Sequence, residues 1–209
     1  MPNIQDALNE ASRMAFDESI GYTWGGDGNP DSNGYDCSAF VIRCLYRAGY
    51  NVPANRMGTF FMKPYLQTAG FQIIPVTTLS DLNGIKHGDI VVENHFPDSA
   101  YPDGAGHTFF YAENMVGFTD AGADSPATGT LSRLKIEASG TRGHTGQGDS
   151  RKNGTGAYWE VWAHAYSNLI DTTTYDLTDP NVEVYIARDP NADDSSLVDY
   201  LLFKFPKFC

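Results

Sequence analysis

The hydrophobic period of this chain changes once, near Gly70, and that change constrains the fold more than any other feature. Before it, apolar residues recur at helical spacing. Ile4, Ala7, Leu8, Ala11, Met14 and Ala15 line one face of a helix predicted over residues 3–16, with Asn3 as its N-cap. A second helix is predicted from Cys37 to Ala48 and ends at Gly49. Ala39, Phe40, Val41, Ile42, Cys44 and Leu45 cover several of its faces, the pattern of a buried helix. A third spans about 57–69, where Pro64 predicts a kink or a break into two short pieces. After Gly70 come short runs rich in β-branched and aromatic residues, at 71–76, 89–93, 107–113, 134–138 and 158–165, each bounded by Gly, Asp, Asn or Pro. Helices first and strands afterwards predict an α+β fold, with N-terminal helices packed on a central antiparallel sheet.

Composition narrows the function. The 209 residues suggest one domain, 1–166, with an Asp-, Thr-, Asn- and Pro-rich extension, 167–209, read as a linker or docking tail. A formal charge of −12 argues against nucleic acid or an anionic membrane as the partner. The start of the chain shows no basic stretch leading into an apolar one, and no apolar run approaches the ~18 residues of a membrane span, so an export signal and a transmembrane segment are not expected. Three cysteines, Cys37, Cys44 and Cys209, are too few for a disulfide scaffold, and no Cys-x-x-Cys pair suggests zinc. A lone reactive thiol is what remains.

Cys37 occupies the position where such a thiol can work. A free thiol is mostly protonated at neutral pH, and the first turn of a helix favours the anion through its unpaired N–H groups and macrodipole. Asp36 is placed to cap that helix and fix its start at the sulfur. Cys44, two turns deeper, reads as core packing. Among five histidines, His107 leads the most apolar strand behind the small residues Ala105 and Gly106, which suits a general base. His95 and His144 read as loop residues, His164 as an ordinary strand residue and His87 as solvated. A third polar residue normally orients the imidazole. Glu137 is the first choice, from a strand expected beside that of His107, with Glu113 and Asn114 as competitors.

Tyr22-x-Trp24-Gly25-Gly26, Asp36-Cys37-Ser38, Gly88-Asp89-Ile90-Val91 and Gly106-His107 follow one another in an order that resembles the NlpC-type cell-wall cysteine hydrolases, relatives of the CHAP amidases. Within these the chain looks most like the bacteriophage peptidoglycan hydrolase branch, and residues 148–160 correspond loosely to a later stretch of that branch. The resemblance covers roughly residues 3–166. It implies a papain-like fold, peptidoglycan as substrate, Cys37 as nucleophile, His107 as base and Glu137 in the orienting place. It also puts Tyr22, Trp24, Asp36 and Ser38 near the thiol, with the Tyr22 hydroxyl and the Cys37 or Ser38 amide as oxyanion donors. Three features depart from the pattern: Ala39 stands where the family has glycine, the loop 94–105 is long, and the third residue is acidic.

The same resemblance implies release from a host cytoplasm at lysis, or carriage on a virion tail among other phage virion or lysis proteins. An interbacterial amidase toxin and a structural virion protein with an inactive hydrolase fold are the alternatives. No cofactor is expected, with one qualification. Asp27, Asn29, Asp31 and Asn33 alternate oxygen ligands as a calcium loop does, and a register from Asn29 puts Gly34 sixth. The twelfth position is then Phe40 rather than a bidentate Glu, so a turn-rich loop is the favoured reading.

Overall fold

The computed structural model describes residues 1–16, 21–22, 34–54, 58–113, 115–116, 130–131, 134–139, 156–161 and 169–192. It opens with α1, Ile4–Phe16, where the Asn3 side chain accepts from the Gln5 amide at 2.9 Å. Two-residue strands β1, Gly21–Tyr22, and β2, Gly34–Tyr35, pair in parallel and lead into α2, Cys37–Arg47. Helix α3, Thr59–Thr68, runs as one helix with Pro64 inside it. Then come β3, Gln72–Val76, a 3-10 turn at Leu79–Gly84, β4, Ile90–His95, and β5, Ala105–Ala112. The short strands β6, Met115–Val116, and β7, Thr130–Leu131, pair with each other, and β8, Leu134–Ser139, β9, Gly156–Val161, and β10, Val182–Arg188, follow.

Six strands form one antiparallel sheet in the order β3-β10-β4-β5-β8-β9. The fold is therefore α+β, with α1 and α2 packed on the sheet. Strand β10 lies between β3 and β4, so the sheet runs across the change of composition at residue 166. Side-chain alternation on β4 explains why every residue of it is buried. Ile90 and Val92 face the helices, joining Leu8, Phe40, Leu45, Phe110, Ile136 and Tyr185. Val91 faces the other way, joining Phe109, Tyr111, Ile186, Leu82 and the segment Leu169, Ile170 and Tyr175. Both faces of the sheet are covered. Phe40 meets Phe110 edge-on, with ring centroids 6.5 Å apart, and fully burying each such ring contributes roughly 2–3 kcal/mol.

The Gly88-Asp89 pair joins the N-terminal helix to β10 through its contacts. Gly88 has φ +83°, and a Cβ there would lie 2.9 Å from Ile4 Cγ1. Asp89 takes a two-pronged bond from Arg188, 2.9 Å to Oδ1 and 2.6 Å to Oδ2, and its Oδ2 also accepts from the Lys86 amide. Burial pushes its carboxyl above the ordinary range, against the pull of Arg188. Among the described residues no helix is long and apolar enough to cross a membrane.

Candidate active site

The start of α2 is fixed by Asp36. Its Oδ1 accepts from the Ala39 amide at 2.7 Å and from the Ser38 hydroxyl at 2.8 Å, while its carbonyl accepts from the Phe40 amide. The cap leaves the amides of Cys37 and Ser38 as first-turn donors next to the sulfur. Ser38 is buried, and its Oγ also accepts from the Gly58 amide at 3.1 Å, so the hydroxyl clasps α2 to the start of α3.

Cys37 is buried at 8% exposure, and its Sγ lies 3.8 Å from the Gly106 carbonyl. Gly106 is needed for a packing reason: a Cβ at that position would lie 1.8 Å from Thr59 Oγ1. The next residue, His107, keeps its side chain one-fifth exposed and presents Nε2 to Glu137 Oε2 at 2.5 Å. With Nε2 committed, Nδ1 is the nitrogen left for the sulfur. Burial works against a charged ring here. The Glu137 carboxylate, together with the neighbouring Cys37 side chain, outweighs it and pushes the His107 pKa up to about 10.

Glu137 is fully buried, and its second cationic partner was not foreseen from sequence. Lys135, two residues earlier on β8 and also buried, brings Nζ to 3.3 Å from Glu137 Oε2. The ammonium also lies 4.1 Å from the Phe109 ring centroid and 3.5 Å from the Leu169 carbonyl. Sulfur, imidazole, carboxylate and ammonium thus follow one another from α2 through β5 to β8. Two further residues join this end of the sheet. Glu93 is the register partner of His107 across β4 and β5 and is buried. Tyr175 is buried close enough that, after burial itself, the Glu93 and Cys37 charges push its phenol upward. Alternation along β4 could have flagged Glu93. Nothing local marks Tyr175.

Other expected positions fall as follows. Tyr22 is half-buried on β1 opposite Tyr35. Trp24 and the calcium-loop residues Asp27, Asn29, Asp31 and Asn33 lie outside the described residues, as do Asn114, His144, His164 and Cys209. Glu113 does not serve His107; its carboxylate accepts from the Tyr111 hydroxyl, and its amide donates to His87 Nδ1 at 2.9 Å. His87 is buried rather than solvated, held between Glu113 and Gln5. His95 is the buried last residue of β4 rather than a loop residue. Cys44 is packed in the core against Met14, as its helical position predicts, and burial raises its thiol well above the usual range. The arrangement at Cys37 can form a nucleophilic sulfur, shuttle a proton through one imidazole and offer amide donors to a developing oxyanion. No protein-family model matches this chain, and a search of curated proteins finds no match.

Proposed function

We propose that this chain is a phage-type peptidoglycan hydrolase of papain-like NlpC/CHAP architecture, cleaving an amide bond of the bacterial cell wall. The observation that carries the reading is Cys37 at the first turn of α2 beside His107, whose far nitrogen is held by buried Glu137 at 2.5 Å. The motifs around Tyr22, Cys37, Gly88 and His107 supply the substrate class by resemblance. Chemistry then follows in two steps. The Cys37 sulfur, its proton on His107, attacks the amide carbonyl. The tetrahedral oxyanion is met by the amides of Cys37 and Ser38. As the carbon–nitrogen bond breaks, His107 gives its proton to the leaving amine and a thioester remains. His107 next takes a proton from water, the hydroxide attacks the thioester, and the sulfur departs with the acid product free.

Glu137 has two tasks in this scheme: it fixes the ring so that its other nitrogen faces the thiol, and it stabilises the imidazolium between steps. Lys135 keeps that fully buried carboxylate compensated. Mass spectrometry of fragments released from defined peptidoglycan tests the proposal and reports the bond, muramoyl–alanine or within the stem peptide. Release of new amino termini that stops when iodoacetamide alkylates Cys37 supports it. Undiminished release after complete alkylation of that thiol excludes it, and no release from any wall type leaves the inactive virion-protein reading in its place.

A further inference from the structure

We propose that His95, Asp98 and Asp179 form a site for one divalent transition-metal ion of the Zn²⁺ or Mn²⁺ class, tying the end of β4, the β4–β5 loop and the turn before β10 together. The proposal goes beyond the hydrolase reading and does not depend on what Cys37 attacks. His95 Nε2 lies 2.9 Å from Asp98 Oδ2 and 3.9 Å from Asp179 Oδ2, and the three donor atoms all fall within 4.8 Å of one another. Donors bound about 2.1 Å from a common ion stand about 3 Å apart at right angles and about 3.4 Å apart at the tetrahedral angle, so the His95–Asp98 side already matches and the longer sides must shorten to close on an ion.

The outer half of each ligand is already anchored. His95 Nδ1 sits 2.9 Å from the Thr174 carbonyl. A carbonyl only accepts, so Nδ1 carries the hydrogen and Nε2 of the neutral ring is a lone pair. Asp98 Oδ1 accepts from the Ala100 and Tyr101 amides at 2.8 and 2.7 Å, and Asp179 Oδ1 accepts from the Asn181 amide at 2.8 Å. Each carboxylate is thereby turned so that Oδ2 points inward. With the ring neutral, Nε2 and the two Oδ2 atoms are three acceptors facing one another, on a histidine only 4% exposed; with the ring charged, Nε2–H donates to Asp98 Oδ2 instead. Among the described residues no lysine or arginine pairs with Asp98 or Asp179. Holding a ligating imidazole by its distal N–H to a backbone carbonyl is how protein metal sites set ring orientation.

An imidazole with two carboxylates suits zinc or manganese better than calcium, which takes oxygen donors alone. Three protein donors leave the remaining positions to water. The consequence for the fold is specific. Thr174 immediately precedes Tyr175, which packs near Cys37, so an ion at His95 holds that residue's segment against the sheet. A proton on Nε2 is the rival occupant, and Asp98 does raise the ring's affinity for one.

Titration calorimetry on the whole chain, stripped with chelator, separates the two. ZnCl₂ and MnCl₂ are titrated in turn, with CaCl₂ for comparison. Because Zn²⁺ also binds thiol–imidazole pairs, the Zn²⁺ titration is repeated on Cys37→Ala. The expected result is one ion per chain in both proteins, with affinity lowered at least about tenfold by Asp179→Asn and with Ca²⁺ much weaker. Asp179 is partly exposed, and a metal-free melting curve for the variant checks that its fold is unchanged. Binding that disappears with Cys37→Ala, binding unaffected by Asp179→Asn, or equal affinity for Ca²⁺ overturns the proposal. So does the absence of binding at millimolar metal, in which case a protonated Nε2 seen by ¹⁵N NMR assigns the cluster to a proton.

Discussion

Two histidines stand on neighbouring strands at one end of the sheet and face the same side of it. His107 on β5 and His95 on β4 each carry a carboxylate on Nε2, Glu137 at 2.5 Å and Asp98 at 2.9 Å. What separates them is the other face of each ring. His107 has a thiol beside it and a buried ammonium behind its carboxylate. His95 has a backbone carbonyl on Nδ1 and a second carboxylate near Nε2. A histidine–carboxylate pair is therefore not a function by itself. The group on the remaining nitrogen decides whether the ring moves a proton or is held still.

The largest test of that contrast is removal of the sulfur. Cys37→Ala should lower wall hydrolysis by at least about a thousandfold while the chain melts within a few degrees of wild type, measured by turbidity loss of purified walls and by circular dichroism. His95→Gln, compared in the same assay, should retain activity within about an order of magnitude. Equal losses from the two changes would mean that the rings do not differ in role.

Glu137→Gln comes next, because it breaks the pair at the carboxylate without changing its shape. Activity should fall between about a hundredfold and ten-thousandfold, as orienting carboxylates do elsewhere. The pH behaviour carries the sharper sign. His107 in the folded chain holds its proton to about pH 10, above its unfolded value near 6.5. The stability this contributes is complete below about pH 6.5 and is lost as pH rises through 10. Wild type should thus melt at progressively lower temperature between pH 7 and 10. In Glu137→Gln, where burial opposes the charged ring and the Cys37 side chain is left to favour it, that slope should flatten and the alkaline limb of activity should move down by more than one pH unit. An unchanged slope would show that Glu137 does not hold the proton on His107.

The positions that sequence reveals and those it hides differ for a physical reason. Period and capping signals are local, so α1, α2, β3, β4, β5, β8 and the Asp36 cap were legible from Asn3, Asp36 and the alternating runs. The positions of Cys37 at the start of α2 and of His107 near the start of β5 were legible because helix and strand starts are both local features. Lys135 was not. Lys135-Ile136-Glu137 reads as a strand with one polar, solvent-facing side, and it becomes a buried charge pair only because 169–177 cover that side of the sheet. Strand β10 was hidden for a related reason. Its Val182–Arg188 run lies inside an Asp- and Thr-rich stretch whose composition is that of a linker, although two neighbouring strands pair with it.

Lys135→Met probes that hidden partner. The flexible apolar chain replaces the ammonium over Phe109, leaving Glu137 with His107 as its cation. Stability should fall by about 3 kcal/mol, as when one member of a buried pair is removed, read from urea unfolding. The mutation should also raise the proton affinity of His107 further, since a positive charge near the same carboxylate is gone. A stability change under about 0.5 kcal/mol would indicate that Lys135 contributes no more than an exposed ion pair.

The smallest expected effects come from the two glycines that flank the histidine environments, and they should differ in whether a second change repairs them. Gly106→Ala would drive its Cβ to 1.8 Å from Thr59 Oγ1, so about 1–3 kcal/mol should be lost to overpacking. The clash is with a side-chain hydroxyl, and Thr59→Ala in the same chain should recover part of that loss. Gly104→Ala has no such remedy. Its φ is +71°, and the new Cβ would meet the His95 carbonyl at 2.9 Å, a backbone atom that cannot be trimmed away. Truncating the nearby ring with Phe60→Ala removes only the other contact, at 2.8 Å, and should leave the Gly104→Ala penalty largely in place. If both glycine variants respond alike to their partner truncations, the approach of α3 to the His107 strand is looser than the 1.8 Å contact requires, and Gly106 is then not what lets the thiol and imidazole meet.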